Sequence, residues 1–596
     1  MKKLLTGNEA IARGAYEAGA RFASAYPGTP STEILQNIAD NYPEIDAEWA
    51  PNEKVSLEAV IGASMAGVRA MASMKHVGVN VAADPLFTFA YTGVNGGTVV
   101  ITADEPGQHS SQNEQDNRWY ALSAKLPMFE PSNSQECKDM VVSAFQLSEE
   151  FDTPVLVRVT TRVCHSKSIV ECRERGEHHA KPYVRDAAKY VMVPAMARGR
   201  RVAVERRMGE LKSYAEETPY NYIVKGGKTG VIASGVCYHY AREVFGDSVT
   251  YLKLGYTNPL PNRLLAEFAG QVDCIYIIEE NDPYMLNWVK ERGFTKKVKT
   301  VFPSYGELTP DVLRRSLGME PLPVIDCGKQ LSVPRPPALC AGCPHRGFFY
   351  ELGRRKGLVI TGDIGCYTLG FAPPFNSMDS CICMGGAFSI GHGFNRAMAK
   401  ISGDLRAVGV LGDSTFFHTG INSLMEVVYN GSNTVCVILD NRITGMTGGQ
   451  EHPGTGKDAR GNPAPMADIP AICKGLGVPL VVEIDPNDLA AVKTALDQAL
   501  EADSPSVIIT RWPCALKKMD KTERAQYGGP FTEKYIVNEK CVGCGICLKS
   551  GCPALSVDKG KRKAVINPVQ CAGCGVCAQI CPPKAIAKLD RGESDD

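Results

Sequence analysis

Eight cysteines near the end of the chain form two runs with almost the same spacing. The first run is Cys541, Cys544, Cys547 and Cys552-Pro553, and the second is Cys571, Cys574, Cys577 and Cys581-Pro582. Thiolates at these spacings bind iron–sulfur clusters or zinc, and in an extracellular protein they could instead pair as disulfides. The doubled triplet and the two Cys-Pro endings favour iron, and therefore electron transfer.

This doubled pattern resembles the bacterial ferredoxins that carry two [4Fe–4S] clusters. In them, three cysteines of one run bind one cluster and the fourth binds the other. The resemblance implies one ligand set of Cys541, Cys544, Cys547 and Cys581, and a second of Cys571, Cys574, Cys577 and Cys552. Four residues separate Cys547 from Cys552 but three separate Cys577 from Cys581, so the surroundings of the two clusters should differ. Electron carriers at this position imply a redox reaction in the residues that precede them.

A second group of polar residues follows two apolar runs. Gly412-Asp413-Ser414 ends the first run, and 25 residues later Asp440-Asn441 ends the second. Such runs predict parallel strands, whose carboxyl ends meet at one edge of a sheet, where ligands bind. Carboxylate and amide oxygens suit Mg²⁺, which is usually held by one or two side chains together with phosphates and water. A Mg²⁺ site is therefore predicted here, although so short a motif also occurs by chance.

The same pair resembles the thiamine diphosphate motif, which begins with Gly-Asp-Gly and ends in Asn. The resemblance implies Mg²⁺ ligands at Asp413, at Asn441 and at the carbonyl of Ile443. It also implies cofactor contacts at Gly412, Ser414, Asn441 and Gly365. Ser414 replaces the usual glycine.

Thiamine enzymes of this type also need a glutamate that hydrogen-bonds the aminopyrimidine ring and activates the cofactor. In 52-NEKVSLEAVIGASMAG-67 a carboxylate opens an Ala/Gly-rich helical segment. The resemblance places this catalytic and cofactor-binding role on Glu53, with Glu58 as the alternative. A plainer interpretation is that Glu53 is a first-turn acid stabilised by the helix dipole.

Composition limits the class of protein. A chain of 596 residues predicts about four domains. Since 65 Lys and Arg balance 65 Asp and Glu, no bulk charge favours nucleic acid or an anionic membrane. No apolar run reaches the roughly 18 residues of a membrane span, and polar residues interrupt the opening MKKLL at once. We therefore expect a cytoplasmic protein that binds neither nucleic acid nor membrane.

The remaining cysteines are numerous for a chain without disulfides. In all there are 22 cysteines, and a cytoplasmic setting argues against a disulfide framework. Apart from candidate cluster ligands, we expect these to be buried small apolar residues: Cys137, Cys164, Cys172, Cys237, Cys274, Cys327, Cys381, Cys383, Cys436 and Cys473.

Short apolar runs alternate with helical stretches along most of the chain, which predicts α/β domains with parallel sheets. Residues 186–222 are rich in arginine and predict a helical linker at the surface, or alternatively a nucleic-acid-binding patch. Pro-rich 333-VPRPP-337 predicts a domain boundary.

Four motifs, in this order along the chain, identify a family. They are Tyr26-Pro27-Gly28-Thr29-Pro30-Ser31, Cys340-Ala341-Gly342-Cys343-Pro344-His345-Arg346, the Gly412-Asp413-Ser414 and Asp440-Asn441 pair, and 444-TGMTGGQ-450. Together with the C-terminal cysteines they resemble the 2-oxoacid:ferredoxin oxidoreductases. Within that family the closest likeness is to the large α subunits of the enzymes that act on indolepyruvate, and it covers essentially the whole chain.

The resemblance implies an α/β multidomain architecture. Two doubly wound domains bind thiamine diphosphate, on the pyrimidine side at 1–185 and on the diphosphate and Mg²⁺ side at 331–525. After the linker at 186–222, a transketolase-C-terminal-like α/β domain lies between them at 223–330. An α+β two-cluster ferredoxin-like domain occupies 530–596.

The resemblance also implies a reaction. An arylpyruvate, foremost indolepyruvate, is decarboxylated oxidatively with coenzyme A as co-substrate to give an aryl-acetyl-CoA, and the electrons pass through the clusters to ferredoxin. A small β subunit is implied as partner in a heterodimer or heterotetramer. Two rival functions are a non-oxidative arylpyruvate decarboxylase, which does not need the cysteine tail, and a pure electron-transfer subunit, which does not need Asp413, Asn441 or Glu53.

A third [4Fe–4S] cluster beside the cofactor is a further implication. Its ligands would be Cys340, Cys343, Cys366 and Cys514, the alternatives being a structural zinc site or plain cysteines.

The resemblance gives fewer residues for the substrate. Thr29 is implied as a catalytic hydrogen-bond donor to the substrate carboxylate or carbonyl. His345 is a catalytic candidate, and other polar candidates are Arg346, His109 and His418.

Substrate size is the last expectation. Pyruvate-specific relatives use an arginine after the strand that matches 98-TVVITA-103, where this chain has Asp104-Glu105. Met446 stands where relatives carry a polar residue. Both differences predict a substrate larger than pyruvate.

Overall fold

The computed structural model describes residues 1–323, 336–529, 531 and 533–589. It has two compact units, Met1–Asp326 and Cys327–Asp596. The domain limits predicted at 330, 331 and 530, most of the Pro-rich boundary, Cys327 and the end of the predicted ferredoxin-like domain lie outside the described residues.

The first unit alternates strands and helices. Its strands are Lys2–Thr6 (β1), Phe22–Ala25 (β2), Asp46–Trp49 (β3), Ala70–Lys75 (β4), Thr98–Asp104 (β5), Met128–Phe129 (β6), Val155–Thr160 (β7), Lys167–Glu171 (β8), Asn221–Val224 (β9), Thr229–Ser234 (β10), Thr250–Leu254 (β11), Tyr256–Asn258 (β12), Cys274–Ile278 (β13) and Val298–Lys299 (β14).

Its α-helices are Gly7–Glu17 (α1), Thr32–Asn41 (α2), Glu53–Met65 (α3), His76–Val81 (α4), Ala83–Thr92 (α5), Arg118–Ala124 (α6), Ser134–Glu150 (α7), Thr161–His165 (α8), Ala187–Tyr190 (α9), Pro194–Glu217 (α10), Cys237–Phe245 (α11), Asn262–Gln271 (α12), Tyr284–Val289 (α13) and Pro310–Ser316 (α14). A π-helical turn at Lys290–Phe294 and a 3₁₀ turn at Thr295–Lys297 follow α13.

A seven-stranded sheet forms the centre of this unit, in the order β12-β6-β7-β5-β4-β2-β3. Every pairing in it is parallel except that of β12 with β6. Val99 and Val100 are both fully buried, and successive strand side chains point to opposite faces, so both faces of the sheet are covered. The continuous apolar runs of the sequence follow from this burial.

A second sheet of five strands has the order β14-β13-β10-β11-β9, in which β9 is antiparallel and the others are parallel. A two-stranded antiparallel pair of β1 and β8 completes the unit.

The arginine-rich segment forms the long helix α10. Arg200 donates hydrogen bonds to the carbonyls of Tyr91 (2.6 Å) and Thr92 (3.1 Å) at the end of α5. Arg207 is buried and donates to the carbonyls of Ala90 and Asp152. These two arginines therefore hold α10 against the C-terminus of α5, where cations and donors are favoured.

The strands of the second unit are Leu358–Gly362 (β15), Ser380–Cys381 (β16), Arg406–Gly412 (β17), Val435–Asp440 (β18), Leu480–Ile484 (β19), Ser506–Arg511 (β20), Tyr535–Val537 (β21), Leu555–Asp558 (β22), Lys563–Ile566 (β23) and Ile586–Lys588 (β24).

Its α-helices are His345–Leu352 (α15), Ala387–Lys400 (α16), Asp413–Thr415 (α17), Ile421–Tyr429 (α18), Ile469–Gly475 (α19), Leu489–Glu501 (α20), Lys521–Tyr527 (α21) and Val576–Gln579 (α22). A π-helical turn at Phe416–Gly420 joins α17 to α18, and 3₁₀ turns lie at Cys366–Phe371 and Ile546–Ser550.

A six-stranded, fully parallel sheet in the order β16-β15-β17-β18-β20-β19 forms the core of this unit. The cysteine-rich end has two antiparallel pairs, β21 with β24 and β22 with β23. Parallel α/β sheets followed by an α+β module confirm the predicted fold class. No helix among the described residues is both long and apolar enough to cross a bilayer.

Candidate active site and electron-transfer sites

Asp413 lies at the carboxyl end of β17 and is buried in a network of hydrogen bonds. Its Oδ1 accepts from the Ser414 amide at 2.9 Å, and its Oδ2 accepts from the Arg442 amide at 2.8 Å. His452 Nε2 lies 3.0 Å from the same Oδ2. Burial would raise the pKa of Asp413, but His452 and the hydrogen bonds lower it below its ordinary value. This carboxylate is therefore held ionised, as a metal ligand must be.

Asn441 follows the neighbouring strand β18, so the two residues predicted from the motif share one sheet edge. Its Oδ1 accepts from the Ile443 amide at 3.2 Å. Between them, Arg442 adopts a left-handed backbone conformation with φ of 64°, which is sparsely populated for residues other than glycine. Such strain persists where surrounding contacts impose it, often at ligand sites. The oxygens of Asp413 and Asn441 are of the type that Mg²⁺ binds.

His345, the first residue of α15, belongs to the same edge. Its Nε2 lies 3.5 Å from Nδ2 of Asn441, and its ring meets that of Tyr367 edge-on at 6.1 Å. Burial lowers the pKa of His345 to about 4, although Asp413 opposes the shift. The ring is therefore neutral at neutral pH, and its folded-state pKa lies below the ordinary value of about 6.5.

Two glycines of the predicted cofactor site pack against Tyr367. A Cβ atom would lie 2.3 Å from the ring at Gly365 and 2.7 Å from it at Gly412. The Tyr367 hydroxyl donates to the carbonyl of Ile364 at 2.8 Å and lies 2.9 Å from Thr415 Oγ1. Both glycines are needed because a side chain at either position would displace this ring.

Ser414, the departure from the thiamine motif, is accommodated in the structure. Its Oγ accepts a hydrogen bond from Thr444 Oγ1 at 3.0 Å, which ties it to the 444–450 segment. In that segment, Thr444 bridges to Gln450, whereas Met446 is 52% exposed.

Two acidic or basic residues of this edge were not among the predicted site residues. Asp363 directly follows β15 just as Asp413 follows β17, so its position after the apolar run in 357-GLVITGD-363 was a usable signal. Its carboxylate accepts from the amides of Gly385 (2.9 Å) and Ala387 (3.0 Å), and burial raises its pKa to about 6. His452 carried no such signal, because a loop brings it to Asp413.

Two of the four cysteines predicted for a third cluster, Cys366 and Cys514, lie close to this edge. A Cβ atom at Gly445 would lie 3.9 Å from the sulfurs of both Cys366 and Cys514, and 3.7 Å from Asn441 Nδ2. Burial raises the pKa of Cys343 to about 12 and that of Cys366 to about 11.

Neighbouring thiols add to both of those pKa shifts. Cys514 and Cys340 raise the pKa of Cys343 and of Cys366 alike. Cys340 in turn raises the pKa of Cys514, after burial. These electrostatic effects indicate that Cys340 and Cys514 lie near both Cys343 and Cys366.

The C-terminal cysteines group across the two runs. Burial raises the pKa of Cys547, and Cys581, Cys541 and Cys544 raise it further. Burial likewise raises the pKa of Cys577 to about 12, and Cys574, Cys552 and Cys571 add to the shift, followed by Cys547 of the first run. Each set of three therefore has the fourth cysteine of the other run beside it. We call Cys571, Cys574, Cys577 and Cys552 the inner set, and Cys541, Cys544, Cys547 and Cys581 the outer set.

The inner set adjoins the Cys340–Cys343 loop. A Cβ atom at Gly342 would lie 2.5 Å from Ala572 Cβ. Arg346 is buried, and donates to the carbonyls of Cys340 (2.8 Å) and Ser550 (3.1 Å). Arg346 thus joins the loop to the cysteine-rich module, which is a structural role.

Among the described residues, no three His, Cys, Asp or Glu side chains converge on a point where one metal ion would bind. All the described cysteines are free thiols. A [4Fe–4S] cluster does not require such convergence, because each of its thiolates binds a different iron atom.

In the first unit, Glu53 and Glu58 differ sharply in position. Glu53 begins α3 after the Asn52 cap and is buried, with its carboxylate against Gly78, where a Cβ atom would lie 2.6 Å from Oε1. Glu58 has a half-exposed side chain paired with Lys54 on the same helix. Of the two candidates, only Glu53 faces the interior.

Thr29 is half-buried in the turn after β2. The turn is fixed by Ser31, whose Oγ donates to the Gly28 carbonyl at 2.8 Å, and by Asn8, whose Nδ2 donates to the Pro30 carbonyl at 2.8 Å. Lys75, which ends the neighbouring strand β4, packs its stem against Gly28. Sequence reasoning did not single out Lys75.

The structure also places Asp104 and the two remaining polar candidates, His109 and His418. Asp104 is fully buried and pairs with Arg158 at 2.6 Å, so its carboxylate belongs to the interior. His109 is half-exposed and lies 3.4 Å from Glu307. His418 is buried in the second unit with its Nδ1 3.2 Å from Thr419 Oγ1.

The expectation that the remaining cysteines are buried is confirmed for Cys137, Cys164, Cys172, Cys237, Cys436 and Cys473. It is wrong for Cys383, which is exposed in the connection between β16 and α16. Cys274 and Cys381 are only half-buried.

Three family models match the chain in succession. Residues 13–221 match "Pyruvate flavodoxin/ferredoxin oxidoreductase, thiamine diP-bdg". Residues 363–510 match "Thiamine pyrophosphate enzyme, C-terminal TPP binding domain", and residues 520–585 match "4Fe-4S dicluster domain". The first two contain Glu53 and the Asp413–Asn441 pair, and the third contains both C-terminal cysteine sets.

Full-length relatives are similar over nearly the whole chain. Indolepyruvate oxidoreductase subunit IorA of Pyrococcus abyssi is 38% identical over 634 residues, covering 99% of this chain and 97% of the relative. The protein of the same name from Archaeoglobus fulgidus is 39% identical over 616 residues, covering 98% and 97%.

Among solved structures, a 2-oxoglutarate:ferredoxin oxidoreductase from Magnetococcus marinus, with 2-oxoglutarate, coenzyme A and succinyl-CoA bound, has a TM-score of 0.45 and 17% identity. The match covers 53% of this chain and 65% of that one.

Proposed function

We propose a specific reaction for this chain, which belongs to the 2-oxoacid:ferredoxin oxidoreductase family. The chain is an oxidoreductase subunit with thiamine-diphosphate-binding domains and a [4Fe–4S] dicluster domain. Membership of this family supports the assignment of a thiamine-dependent oxidative decarboxylation linked to ferredoxin. Our proposal is that the substrates are arylpyruvates, foremost indolepyruvate, and the products aryl-acetyl-CoA, CO₂, a proton and two electrons for ferredoxin.

One observation carries the oxidative part of this proposal. The sulfurs of Cys366 and Cys514 lie beside the Asp413–Asn441 edge, as the Cβ position of Gly445 shows. A non-oxidative decarboxylase needs no thiols there, whereas an enzyme that removes electrons from its cofactor needs an acceptor close by. A pure electron-transfer subunit, in turn, has no use for an ionised, buried Asp413.

The candidate thiamine-binding residues of each unit have distinct proposed roles. Thiamine diphosphate, when bound, would supply the nucleophilic carbon and the electron sink that decarboxylation of a 2-oxoacid needs. Asp413, Asn441 and the carbonyl of Ile443 would hold Mg²⁺ on its diphosphate. Glu53 would hydrogen-bond the aminopyrimidine ring, and neutral His345 would provide a hydrogen-bonding group without a charge.

We propose three [4Fe–4S] clusters acting in series. The group of Cys340, Cys343, Cys366 and Cys514 would accept electrons first. The inner set would follow, since its loop meets Gly342 through Ala572. The outer set would pass electrons to ferredoxin, because Cys544 is exposed.

Coenzyme A and a small β subunit complete the proposal. The relatives are named as subunits, which supports a partner chain. An arylpyruvate pocket is supported by the name of the relatives and by the absence of a pyruvate-type arginine after β5, where Asp104 instead pairs with Arg158.

The test is an anaerobic assay of the enzyme with a panel of 2-oxoacids, coenzyme A and a viologen acceptor. Burying the additional apolar area of an aryl ring is worth a few kcal/mol at about 25 cal/mol per Å². We therefore expect kcat/KM for indolepyruvate, phenylpyruvate and 4-hydroxyphenylpyruvate to exceed that for pyruvate by about 100-fold, or about 2.7 kcal/mol.

Product analysis and cofactor analysis separate the alternatives. An acyl-CoA product supports the proposal, whereas an aldehyde would indicate the non-oxidative decarboxylase. Lack of bound thiamine diphosphate would leave only an electron-transfer role. Preference for pyruvate or 2-oxoglutarate would keep the reaction class and overturn the arylpyruvate assignment.

A further inference from the structure

Lys75 is a largely buried cation at the carboxyl edge of the seven-stranded sheet. It ends β4, which pairs on one side with β2 and on the other with β5. The turn that contains Thr29 follows β2, and Glu105 follows β5. Because carboxyl ends of parallel strands form the ligand edge of such sheets, Lys75 lies where a ligand would bind.

The side chain of Lys75 is directed towards the Thr29 turn. A Cβ atom at Gly28 would lie 3.1 Å from both Cγ and Cδ of Lys75, so the stem passes directly over this glycine. The side chain is only 12% exposed. Lys75 also interacts electrostatically with Glu53, which helps to raise its pKa against the larger lowering caused by burial. Lys75 therefore lies against the turn that contains the proposed substrate threonine, and three residues before Gly78, on which the proposed cofactor glutamate packs.

Lys75 has weak partners for a buried ammonium group. Its Nζ lies 3.7 Å from Glu105 Oε2 and 3.4 Å from the Ser110 carbonyl. Charge-assisted hydrogen bonds are ordinarily about 2.7–2.9 Å long, and an ammonium group has three donors. Both contacts are therefore too long to satisfy it.

Glu105 accepts hydrogen bonds from two serines, which accounts for the long distance between its carboxylate and Lys75 Nζ. Its Oε1 accepts from Ser110 Oγ at 2.7 Å, and its Oε2 accepts from Ser111 Oγ. The two serines hold the carboxylate, so it compensates the charge of Lys75 only in part. A buried cation with incomplete hydrogen bonding costs free energy, and an anionic ligand would recover it.

We propose that Lys75 binds the carboxylate of the 2-oxoacid, and this inference rests on the proposed function. The ammonium group would contact the carboxylate oxygens while Thr29 donates from the adjacent turn. Pyruvate-specific relatives have a substrate-binding arginine after β5, where this chain has Asp104, which pairs with Arg158 in the interior. Lys75 would supply the positive charge that this arginine supplies in those relatives. The recognised group is the carboxylate shared by all 2-oxoacids, so Lys75 serves binding and the aryl selectivity arises elsewhere.

The experiment compares Lys75→Met and Lys75→Arg with the wild-type enzyme. Lys228→Met is the matched control, because Lys228 is an exposed lysine of the same unit. Two substrates are used: phenylpyruvate, and phenylacetaldehyde, which has the aryl group but no carboxylate. Oxidation of the aldehyde with coenzyme A also delivers two electrons to the viologen acceptor, so the same readout applies to both.

We expect Lys75→Met to lower kcat/KM for phenylpyruvate about 100-fold, mainly through a higher KM. A loss of this size is typical when a hydrogen bond to a charged group is removed. Lys75→Arg should recover at least tenfold of that loss, because it keeps the charge. Phenylacetaldehyde turnover should change less than threefold in both variants. The Lys228→Met enzyme should match the wild type.

A binding measurement tests Lys75 without turnover. Isothermal titration with 3-phenylpropanoate, a carboxylate that cannot react, should show affinity at least tenfold weaker in Lys75→Met. Unchanged binding, or equal losses for phenylpyruvate and phenylacetaldehyde, would overturn the proposal. A wild-type enzyme that binds 3-phenylpropanoate through Lys75 but turns over no 2-oxoacid would instead count against the proposed function.

Discussion

At the scale of single residues, Asp413 shows how a short motif acquires a chemical role. Its two oxygens receive the amides of Ser414 and Arg442, and His452 lies 3.0 Å from one of them. This network fixes the carboxylate and lowers its pKa despite burial. The carboxylate is therefore fixed and ionised, which the proposed role as a Mg²⁺ ligand requires.

Asp413→Ala should weaken thiamine diphosphate and Mg²⁺ binding by about tenfold or more. Losses of metal affinity of this size are typical when a residue that supports a metal site is replaced. Asp413→Asn tests the charge with little change in shape and should weaken binding in the same direction. Titration calorimetry measures the affinity, and iron analysis should show the C-terminal clusters intact. Asp404→Ala, at an exposed aspartate of the same unit, is the control. Wild-type affinity in both Asp413 variants would remove Asp413 from the site.

Glu53 and Glu58 provide a second matched pair, since one is buried against Gly78 and the other pairs with Lys54 at the surface. Glu53→Gln should slow turnover by about 10²–10⁴-fold, as expected for loss of a proton-transfer partner, with the cofactor still bound. Glu58→Gln should remain fully active in the same steady-state assay. The reverse result would move the catalytic glutamate to Glu58.

At the scale of elements, loops and helix starts assemble the cysteine groups. The loop before α15 provides Cys340 and Cys343, the connection after β15 provides Cys366, and the segment after β20 provides Cys514. β15 and β20 belong to one parallel sheet, in which β17 and β18 lie between them, so the segments that follow these two strands leave from the same edge. The proposed ligand set thus depends on the path of the chain through the sheet and not only on spacing along the sequence.

Replacing Cys343 with Ala should remove about one cluster's iron, four atoms per chain, and change the electron paramagnetic resonance spectrum of the reduced enzyme. Cys383→Ala is the matched control, because Cys383 is a free cysteine outside the proposed ligand sets. If Cys343→Ala keeps wild-type iron and spectra, the third cluster is withdrawn and two remain.

At the scale of the whole molecule, the two C-terminal cysteine sets are not equivalent. The inner set is next to the Cys340–Cys343 loop, to which Arg346 and Ser550 fasten the module. In the outer set, Cys544 is exposed, and the Arg562 carbonyl lies 2.2 Å from the Cβ position of the adjacent Gly543. Position therefore gives the proposed electron path a direction.

Loss of the outer cluster in Cys544→Ala should lower ferredoxin reduction by at least about tenfold while the substrate still reduces the remaining clusters in a single turnover. Stopped-flow absorbance and freeze-quench spectra measure the two steps separately. Cys574→Ala, in the inner set, should interrupt the path earlier and leave the outer cluster oxidised after substrate is added. Normal ferredoxin reduction by Cys544→Ala would contradict the proposed order.

Much of this protein was determined by its sequence alone. Continuous apolar runs predicted buried parallel strands, and their polar final residues, such as Asp413 and Asn441, predicted a ligand edge. The motifs predicted the family, which the full-length relatives confirm. These features are local or periodic. A strand in a sheet that is buried on both faces has apolar residues at nearly every position, so the sequence shows it as a continuous apolar run.

Tertiary structure alone decided which distant residues meet. His452 contacts Asp413 from a loop 39 residues further along the chain. Asp104 pairs with Arg158 in the interior, although its position after β5 suggested that it would line the substrate pocket. Lys75 became a candidate ligand only when Gly28, Glu53 and Glu105 were seen around it. A contact between separate segments depends on strand order and loop path, which no single segment encodes, and the pKa of each group follows from the burial and charges that those contacts create.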